Sequence, residues 1–206
     1  MEIDPSISLE EKKKAMLEWW TTHFKLLIKS GLNKKDLEKV VNSKNVRFGN
    51  GVLEFIDILH KYDIPLVIMS SSGLGKEAIS MYLEKEGRLY KNVYIISNSF
   101  EWDKDGRVIG IKEPIIHSMN KDETMVKDFP DIYKVIKDRK NVLLLGDSIE
   151  DIGMVEGFDY NNIVKIGFLN KKIEENIESY KKNFDMIMLN DSDKFYVDEL
   201  LKKIIG

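Results

Sequence analysis

The sequence predicts an α/β protein with a three-layer parallel sheet, preceded by a helical region. From residue 64 onward, short apolar runs of the kind found in strands covered on both faces alternate with segments of helical periodicity. Such alternation is typical of right-handed βαβ crossovers, which place helices on both faces of a parallel sheet. The first fifty residues show helical periodicity alone. We therefore expect a helical appendage over residues 1–50 and an α/β core over residues 51–206.

The N-terminal region is predicted to form amphipathic helices. Ser8 and Glu11 make an S-x-x-E capping box before a segment with apolar side chains at helical spacing, which ends at Gly31. A shorter helix follows, and Asn33 can cap it. The segment "RFGNG" interrupts the apolar pattern, which resumes at Val52.

The core is predicted to contain five strands with helices between them. The apolar runs lie at Ile64–Ser70, Asn92–Ser97, Asn141–Gly146, Asn162–Gly167 and Phe184–Leu189. The helical patterns lie at Glu77–Glu86, Asp131–Asp138, Ile173–Lys182 and Lys194–Ile205. The segment "FEWDKDGRVIG" differs, because Asp105-Gly106 between apolar flanks indicates a β-hairpin.

Composition and charge exclude several classes of function. The formal net charge of −3, from 35 acids and 32 bases, gives no single-sign field that would attract nucleic acid or an anionic membrane. The absence of cysteine excludes disulfides and thiolate zinc sites. With only three histidines in the sequence, we do not expect a histidine metal cluster either. Any metal should therefore be a hard cation with oxygen ligands. Without a signal region or an apolar run of about 20 residues, the sequence predicts a soluble, cytoplasmic protein, with a monomer as the working expectation.

A serine- and glycine-rich segment follows the first predicted strand. Ligands of open parallel sheets bind beyond the carboxyl ends of the strands. After Met69, the sequence "SSSGLGKE" offers the hydroxyls of Ser70 and Ser71, then Gly73, where the backbone can approach a ligand. The N-terminus of the helix that follows favours an anion. The segment is therefore a candidate phosphate cradle, and a serine-rich helix cap is the alternative interpretation.

Two carboxylates follow the strand at Asn141–Gly146. Asp147 and Asp151 lie one helical turn apart, so both can face the same small volume. Like charges so close repel, and a bound divalent cation is a common reason to keep both ionised. The alternative is that Asp147 caps a helix and Asp151 interacts with its dipole. Lys121, in "IIHSMNKDE", could neutralise a phosphoryl oxygen, and we expect its side chain to be exposed.

This ordered set of motifs resembles a known enzyme family. The segments "IPLVIMSSSGLG", "IIHSMNKDE" and "LLLGDSIEDIGM" are similar to those of the haloacid dehalogenase (HAD) superfamily of phosphatases, and more closely to the cytosolic pyrimidine 5′-nucleotidases, also called type III. The resemblance runs along nearly the whole chain. It implies a HAD-like, Rossmann-type core with a small helical cap, of which residues 1–50 would be a part. It also implies Mg²⁺-dependent dephosphorylation of pyrimidine nucleoside 5′-monophosphates through an aspartyl-phosphate.

The resemblance also implies roles for individual residues. Asp147 would hold Mg²⁺, with Asp151 at the edge of the metal shell, and Lys121 would hold the transferring phosphoryl group together with a serine. The identity of that serine stays open: counting from the proline of the strand selects Ser70, and counting back from the glycines selects Ser71.

The helical region would contribute part of a base pocket. The resemblance assigns Glu2 and Trp20 to that pocket, Glu2 for hydrogen bonds to the base and Trp20 for stacking. From periodicity alone, Trp20 is equally consistent with a core position on an amphipathic helix.

The attacking group of the family does not occur in this sequence. Members of the superfamily begin with a strand that ends in D-x-D-x-T, whose first aspartate attacks phosphorus. The two Asp-x-Asp sequences here lie in the hairpin, at residues 103–105, and late in the chain, at residues 191–193, and neither is followed by threonine. We therefore expect a core without its first strand, with truncation as the favoured explanation. The alternatives are a non-catalytic nucleotide-binding module, a fragment completed by another polypeptide, and a HAD phosphatase for another small phosphorylated substrate.

Overall fold

The computed structural model describes residues 7–122, 126–189 and 195–205, with the backbone alone at residues 195 and 196. These residues form two compact units. The first unit contains the described residues up to Arg47, with Val67–Leu89 and Ile95–Asn120; the second contains Phe48–Leu66, Tyr90–Tyr94 and the described residues from Lys121 onward. The predicted domains, residues 1–50 and 51–206, stay a prediction.

The described residues alternate between helices and strands after an all-helical start, as predicted. Along the chain the elements are α1 (Leu9–Ser30), α2 (Lys34–Val41), α3 (Val52–Lys61), β1 (Leu66–Ser70), α4 (Gly75–Lys85), β2 (Val93–Ser97), β3 (Phe100–Trp102), β4 (Val108–Ile111), α5 (Pro130–Ile136), β5 (Asn141–Gly146), β6 (Asn162–Leu169), α6 (Ile173–Asn183), β7 (Met186–Leu189) and α7 (Phe195–Ile205). Two short 3₁₀ helices lie at Ser118–Asn120 and Ile149–Val155. Within the described ranges, no helix is both long enough and apolar enough to cross a bilayer.

The first unit is organised around α1 and a β-hairpin. The predicted capping box is present, with the Ser8 hydroxyl and the Glu11 carboxylate each accepting a backbone N–H of the other residue. Gly31 ends the helix in the left-handed conformation, with φ of 75°. Phe24 of α1 packs against Phe100 of the antiparallel β3–β4 hairpin, in a cluster that also contains Val108 and Ile115. The hairpin predicted from Asp105-Gly106 is therefore confirmed.

The second unit contains a parallel sheet in the order β5-β6-β7. Side chains from one face of the sheet pack against α3 and α7, and those from the other face pack against α6. The cluster on the first face contains Phe55, Leu59, Ile166, Met188, Val197 and Leu201. Alternate residues of a strand point to opposite faces, so strands covered on both faces read as continuous apolar runs. This unit has the three layers that the sequence predicts.

Two predicted strands, β1 and β7, begin two residues later than their apolar runs, at Leu66 and at Met186. The prediction for β7 starts at Phe184, but that residue is the C-cap of α6, and its N–H donates to the carbonyl of Tyr180 at 2.9 Å. The Phe184 ring packs so closely against Gly167 that a Cβ there would lie 2.7 Å from a ring carbon. The apolar side chain of Phe184 thus serves to pack against the sheet and not to form a strand, which begins at Met186.

Candidate active site

Asp147 stands directly after β5, at the carboxyl end of the parallel sheet. The next residue, Ser148, caps the 3₁₀ helix Ile149–Val155, and its hydroxyl accepts the N–H of Glu150 at 3.2 Å. The alternative interpretation of Asp147 as the helix cap is therefore wrong, because Ser148 occupies that position. The side chain of Asp147 is left exposed at the strand end.

Asp151 is buried, and both oxygens of its carboxylate have partners within the second unit. Oδ2 accepts the backbone N–H of Asp147 at 2.9 Å and that of Ser148 at 3.2 Å. Oδ1 pairs with the ammonium of Lys121. The Asp151 side chain is 3% exposed and that of Lys121 is 10% exposed. The expectation of an exposed lysine is thus wrong, because an ion pair with Asp151 holds Lys121 inside the second unit.

The close approach of Asp151 to β5 depends on glycine at position 146. A Cβ at Gly146 would lie 2.8 Å from the Cβ of Asp151 and 3.1 Å from its Oδ2. Real Cβ atoms essentially never show a contact under 3.0 Å. The Gly-Asp pair in the sequence therefore combines two requirements: space for Asp151 and an exposed carboxylate at Asp147.

The pKa values of Asp147 and Tyr180 are both raised in this corner of the second unit. The pKa of Asp147 is raised above its ordinary value, first by partial desolvation and then by the negative charge of Asp151, while Lys121 acts in the opposite direction. The pKa of Tyr180 is also raised, first by burial and then by the charges of Asp147, Asp151 and Glu150. An added cation beside Asp147 would offset the repulsion that disfavours its ionised form.

The donors around Asp147 suit a hard cation but supply part of a coordination shell. Both carboxylates offer oxygen, the ligand atom that Mg²⁺ prefers. In the described part of the chain, no group of three or more histidines or acids is arranged to hold a metal. Because both oxygens of Asp151 have partners within the protein, the exposed carboxylate of Asp147 is the candidate ligand for a cation here.

The serine loop belongs to the first unit. Ser70 is the last residue of β1 and Ser71 begins the loop, and both are half-buried. Ser72 has a local structural role, since its hydroxyl accepts the N–H of Leu74 at 3.2 Å. The first backbone amides of α4 are engaged as well: Gly75 donates to the carbonyl of Ser72 at 3.3 Å, and the next residue donates to a loop carbonyl. Anion binding here would therefore depend on the hydroxyls more than on the helix N-terminus.

Trp20 and His23 of α1 lie beside Gly73. A Cβ at Gly73 would lie 2.8 Å from His23 Nε2 and 3.6 Å from a ring carbon of Trp20. Trp20 is also partly buried against the cluster around Phe24, in agreement with the alternative interpretation of Trp20 as a core residue. Trp20 Nε1 and His23 Nε2 are buried, and neither has a hydrogen-bond partner among the described residues. The sequence prediction missed His23, although its position one turn after Trp20 could have indicated a shared face.

The base-pocket residue Glu2 lies outside the described residues. Its role stays a prediction from the sequence.

Comparisons with known proteins agree on one family. A family model described as "Pyrimidine 5'-nucleotidase (UMPH-1)" matches residues 1–205. The chain is 34% identical over 206 residues to the 7-methylguanosine phosphate-specific 5′-nucleotidase of Gallus gallus, covering all of this chain and 70% of that protein. The Homo sapiens protein of the same name is also 34% identical over 206 residues, with 100% and 68% covered. Among solved structures, cytosolic 5′-nucleotidase IIIB bound to cytidine matches with a TM-score of 0.84 and 27% identity, covering 98% of this chain and 67% of that chain.

Proposed function

The chain belongs to the pyrimidine 5′-nucleotidase (UMPH-1) family, and from that premise we propose that it serves in Mg²⁺-dependent removal of the 5′-phosphate from pyrimidine nucleoside monophosphates. The observation that carries the proposal is the exposed carboxylate of Asp147, at a strand end, beside the buried pair of Asp151 and Lys121. The family relationship supports phosphoric monoester hydrolysis, and the cytidine in the similar solved structure supports a nucleoside ligand.

The residues of the second unit have separate roles in the proposal. Asp147 would hold Mg²⁺, which supplies charge neutralisation at the phosphoryl oxygens when it is bound. Asp151 holds the backbone of Asp147 and the ammonium of Lys121 in place. Lys121 would donate hydrogen bonds to the phosphoryl group, and its fixed position lowers the cost of reorganisation during the reaction.

For residues of the first unit, the sequence resemblance implies contacts to the phosphate and to the base. Either Ser70 or Ser71 would donate a hydroxyl hydrogen bond to the phosphate. Trp20 would stack on the base. Trp20 Nε1 and His23 Nε2, which have no hydrogen-bond partner among the described residues, suit polar atoms at the edge of a base. These roles rest on the sequence resemblance and on local geometry within the first unit.

Replacement of single serines distinguishes the two candidates. Alanine at the phosphate-binding position should raise the dissociation constant for CMP about tenfold, as expected for the loss of one hydrogen bond to a charged group. Ser72→Ala is the matched control, because its hydroxyl is engaged with Leu74. Equal affinities of the Ser70→Ala, Ser71→Ala and Ser72→Ala variants would contradict a phosphate role for this loop.

A second candidate function is nucleotide binding without turnover. It is favoured by one observation: the 206 residues contain no D-x-D-x-T motif, and an aspartyl-phosphate mechanism needs an attacking carboxylate. Binding and turnover must therefore be measured separately.

The experiment combines calorimetric nucleotide binding with a phosphate-release assay. CMP, UMP and 7-methylguanosine 5′-monophosphate should each be tested, since the named relatives are specific for the last of these. We expect tighter binding with Mg²⁺ than with EDTA, and loss of that difference in Asp147→Asn. Asp159→Asn is the control, because Asp159 is 88% exposed and pairs with Lys140 at the surface.

Each result separates the candidates. Mg²⁺-dependent phosphate release that Asp147→Asn abolishes would establish the phosphatase and exclude the binding module. Mg²⁺-dependent binding without release would favour the binding module. No binding of any of the three nucleotides would contradict both.

We also propose a cytoplasmic location. Its support is the word "cytosolic" in the names of the similar solved structure and of a Caenorhabditis elegans relative that is 30% identical over 194 residues. The monomeric state stays a prediction.

A further inference from the structure

We infer that Tyr180 is a positioning residue for the metal-binding carboxylate of Asp147. The inference rests on the proposed function, because it gives Tyr180 its role through the cation that Asp147 would hold. Tyr180 lies 33 residues after Asp147 in the sequence, on α6. No local motif connects the two residues, and the connection is visible only in the folded chain.

Two side chains from different elements hold the backbone of Asp147. The phenolic O–H of Tyr180 donates to the Asp147 carbonyl oxygen at 2.6 Å. The N–H of Asp147 donates to Asp151 Oδ2 at 2.9 Å. Both backbone polar groups of Asp147 are thus engaged, and its side chain is the part left exposed.

Tyr180 is itself held firmly by packing. Its side chain is buried, 6% exposed, in a cluster with Leu169 and Phe184. The rings of Tyr180 and Phe184 lie 5.1 Å apart, and aromatic pairs at that distance pack favourably. The packing therefore fixes the phenol oxygen of Tyr180 next to the carbonyl of Asp147, the residue directly after β5. Removal of a group that orients a metal ligand typically lowers the metal affinity by 10–100-fold.

A conservative replacement isolates the hydroxyl. Tyr180→Phe keeps the ring and its packing but removes the hydrogen bond to Asp147. We expect its affinity for Mn²⁺, a paramagnetic substitute for Mg²⁺, to fall about tenfold in titrations followed by electron paramagnetic resonance. The thermal midpoint should change little, since the apolar contacts of the ring remain.

The matched control is Tyr82→Phe. The Tyr82 hydroxyl also donates to a backbone carbonyl, that of Val46 at 3.0 Å, within the first unit. This variant loses the same kind of bond, so it should show a similar small change in thermal midpoint and an unchanged Mn²⁺ affinity. The contrast separates positioning of the metal ligand from a general loss of one hydrogen bond.

The outcomes distinguish this inference from the proposed function. Weakened Mn²⁺ binding in Tyr180→Phe alone, with equal thermal midpoints of the two variants, supports the positioning role. Wild-type affinity in Tyr180→Phe overturns that role and leaves the metal site intact. A much larger drop in thermal midpoint for Tyr180→Phe than for Tyr82→Phe would make the phenol structural and also overturn it. Wild-type protein that binds Mn²⁺ no better than Asp147→Asn would refute the metal site and, with it, the inference.

Discussion

Replacing Asp151 by asparagine should destabilise the chain far more than the same replacement at Asp147. Asp151 pairs with Lys121 where both side chains are at most 10% exposed. Removing one partner of a buried ion pair typically costs about 3–5 kcal/mol, since the other charge stays buried without compensation. Asparagine keeps one oxygen for the amides that Asp151 accepts, so the lower end, about 3 kcal/mol, applies.

A double-mutant cycle tests whether that cost comes from the pair. Lys121→Met should also lower the free energy of unfolding by about 3 kcal/mol, because the Asp151 charge remains buried. In the double variant neither charge is present, so its loss should be smaller than the sum of the single losses by about 2 kcal/mol. Urea unfolding of the four proteins, at one pH and without divalent cations, measures all the terms.

Asp147→Asn provides the matched comparison. Asp147 is exposed and lies four residues from Asp151, so its replacement should change the free energy of unfolding by no more than about 0.5 kcal/mol. Additive losses in the cycle, a loss below about 1 kcal/mol for Asp151→Asn, or equal losses at the two aspartates would refute the assigned roles.

Three further predictions concern the same surroundings. The folded-state pKa of Asp147 is raised, so without divalent cations its contribution to stability is complete below the ordinary pKa of about 4 and is lost as the pH rises through the folded-state pKa. Urea unfolding with EDTA should therefore show that Asp147→Asn gains stability relative to wild type between pH 4 and 7. A difference that does not depend on pH would contradict this prediction. Gly146→Ala should lower the free energy of unfolding by about 2 kcal/mol through overpacking, because the new Cβ would lie 2.8 Å from that of Asp151. Unchanged urea unfolding would show that the 3₁₀ helix carrying Asp151 can move away from β5. Gly73→Ala should displace the His23 ring, because Nε2 of that ring would lie 2.8 Å from the new Cβ. We expect a clear loss of CMP affinity with little change in the thermal midpoint. An unaltered CMP affinity in calorimetry would show that His23 is not part of the proposed base pocket.

Much of the fold could be predicted because its determinants are local. Continuous apolar runs mark strands covered on both faces, and Asp105-Gly106 marks a turn, so β5 and the β3–β4 hairpin lie where the sequence places them. The prediction of β7 fails at its start because Phe184 is apolar for packing against Gly167, and apolarity alone does not tell a strand residue from a helix end under a sheet.

The candidate site was harder to predict because its partners are distant in sequence. Lys121 and Asp151 are 30 residues apart, and their ion pair changes an expected surface lysine into a buried one. Tyr180 belongs to no recognisable motif, and His23 is a polar residue that does not contribute to the apolar periodicity of its helix. Periodicity describes neighbours along an element, whereas these contacts arise only when separate elements pack together.

Asp147 and Asp151 show how packing gives different roles to identical side chains. From the sequence, each could be a metal ligand or a helix-start acid. The structure gives Asp151 the second role: it accepts two backbone amides and pairs with Lys121, so both of its oxygens are engaged within the protein. The Asp147 carboxylate is exposed, and partial desolvation and the charge of Asp151 raise its pKa more than Lys121 lowers it. A cation bound beside Asp147 would therefore favour the ionised form of that carboxylate, so binding of the cation and ionisation of Asp147 would be coupled.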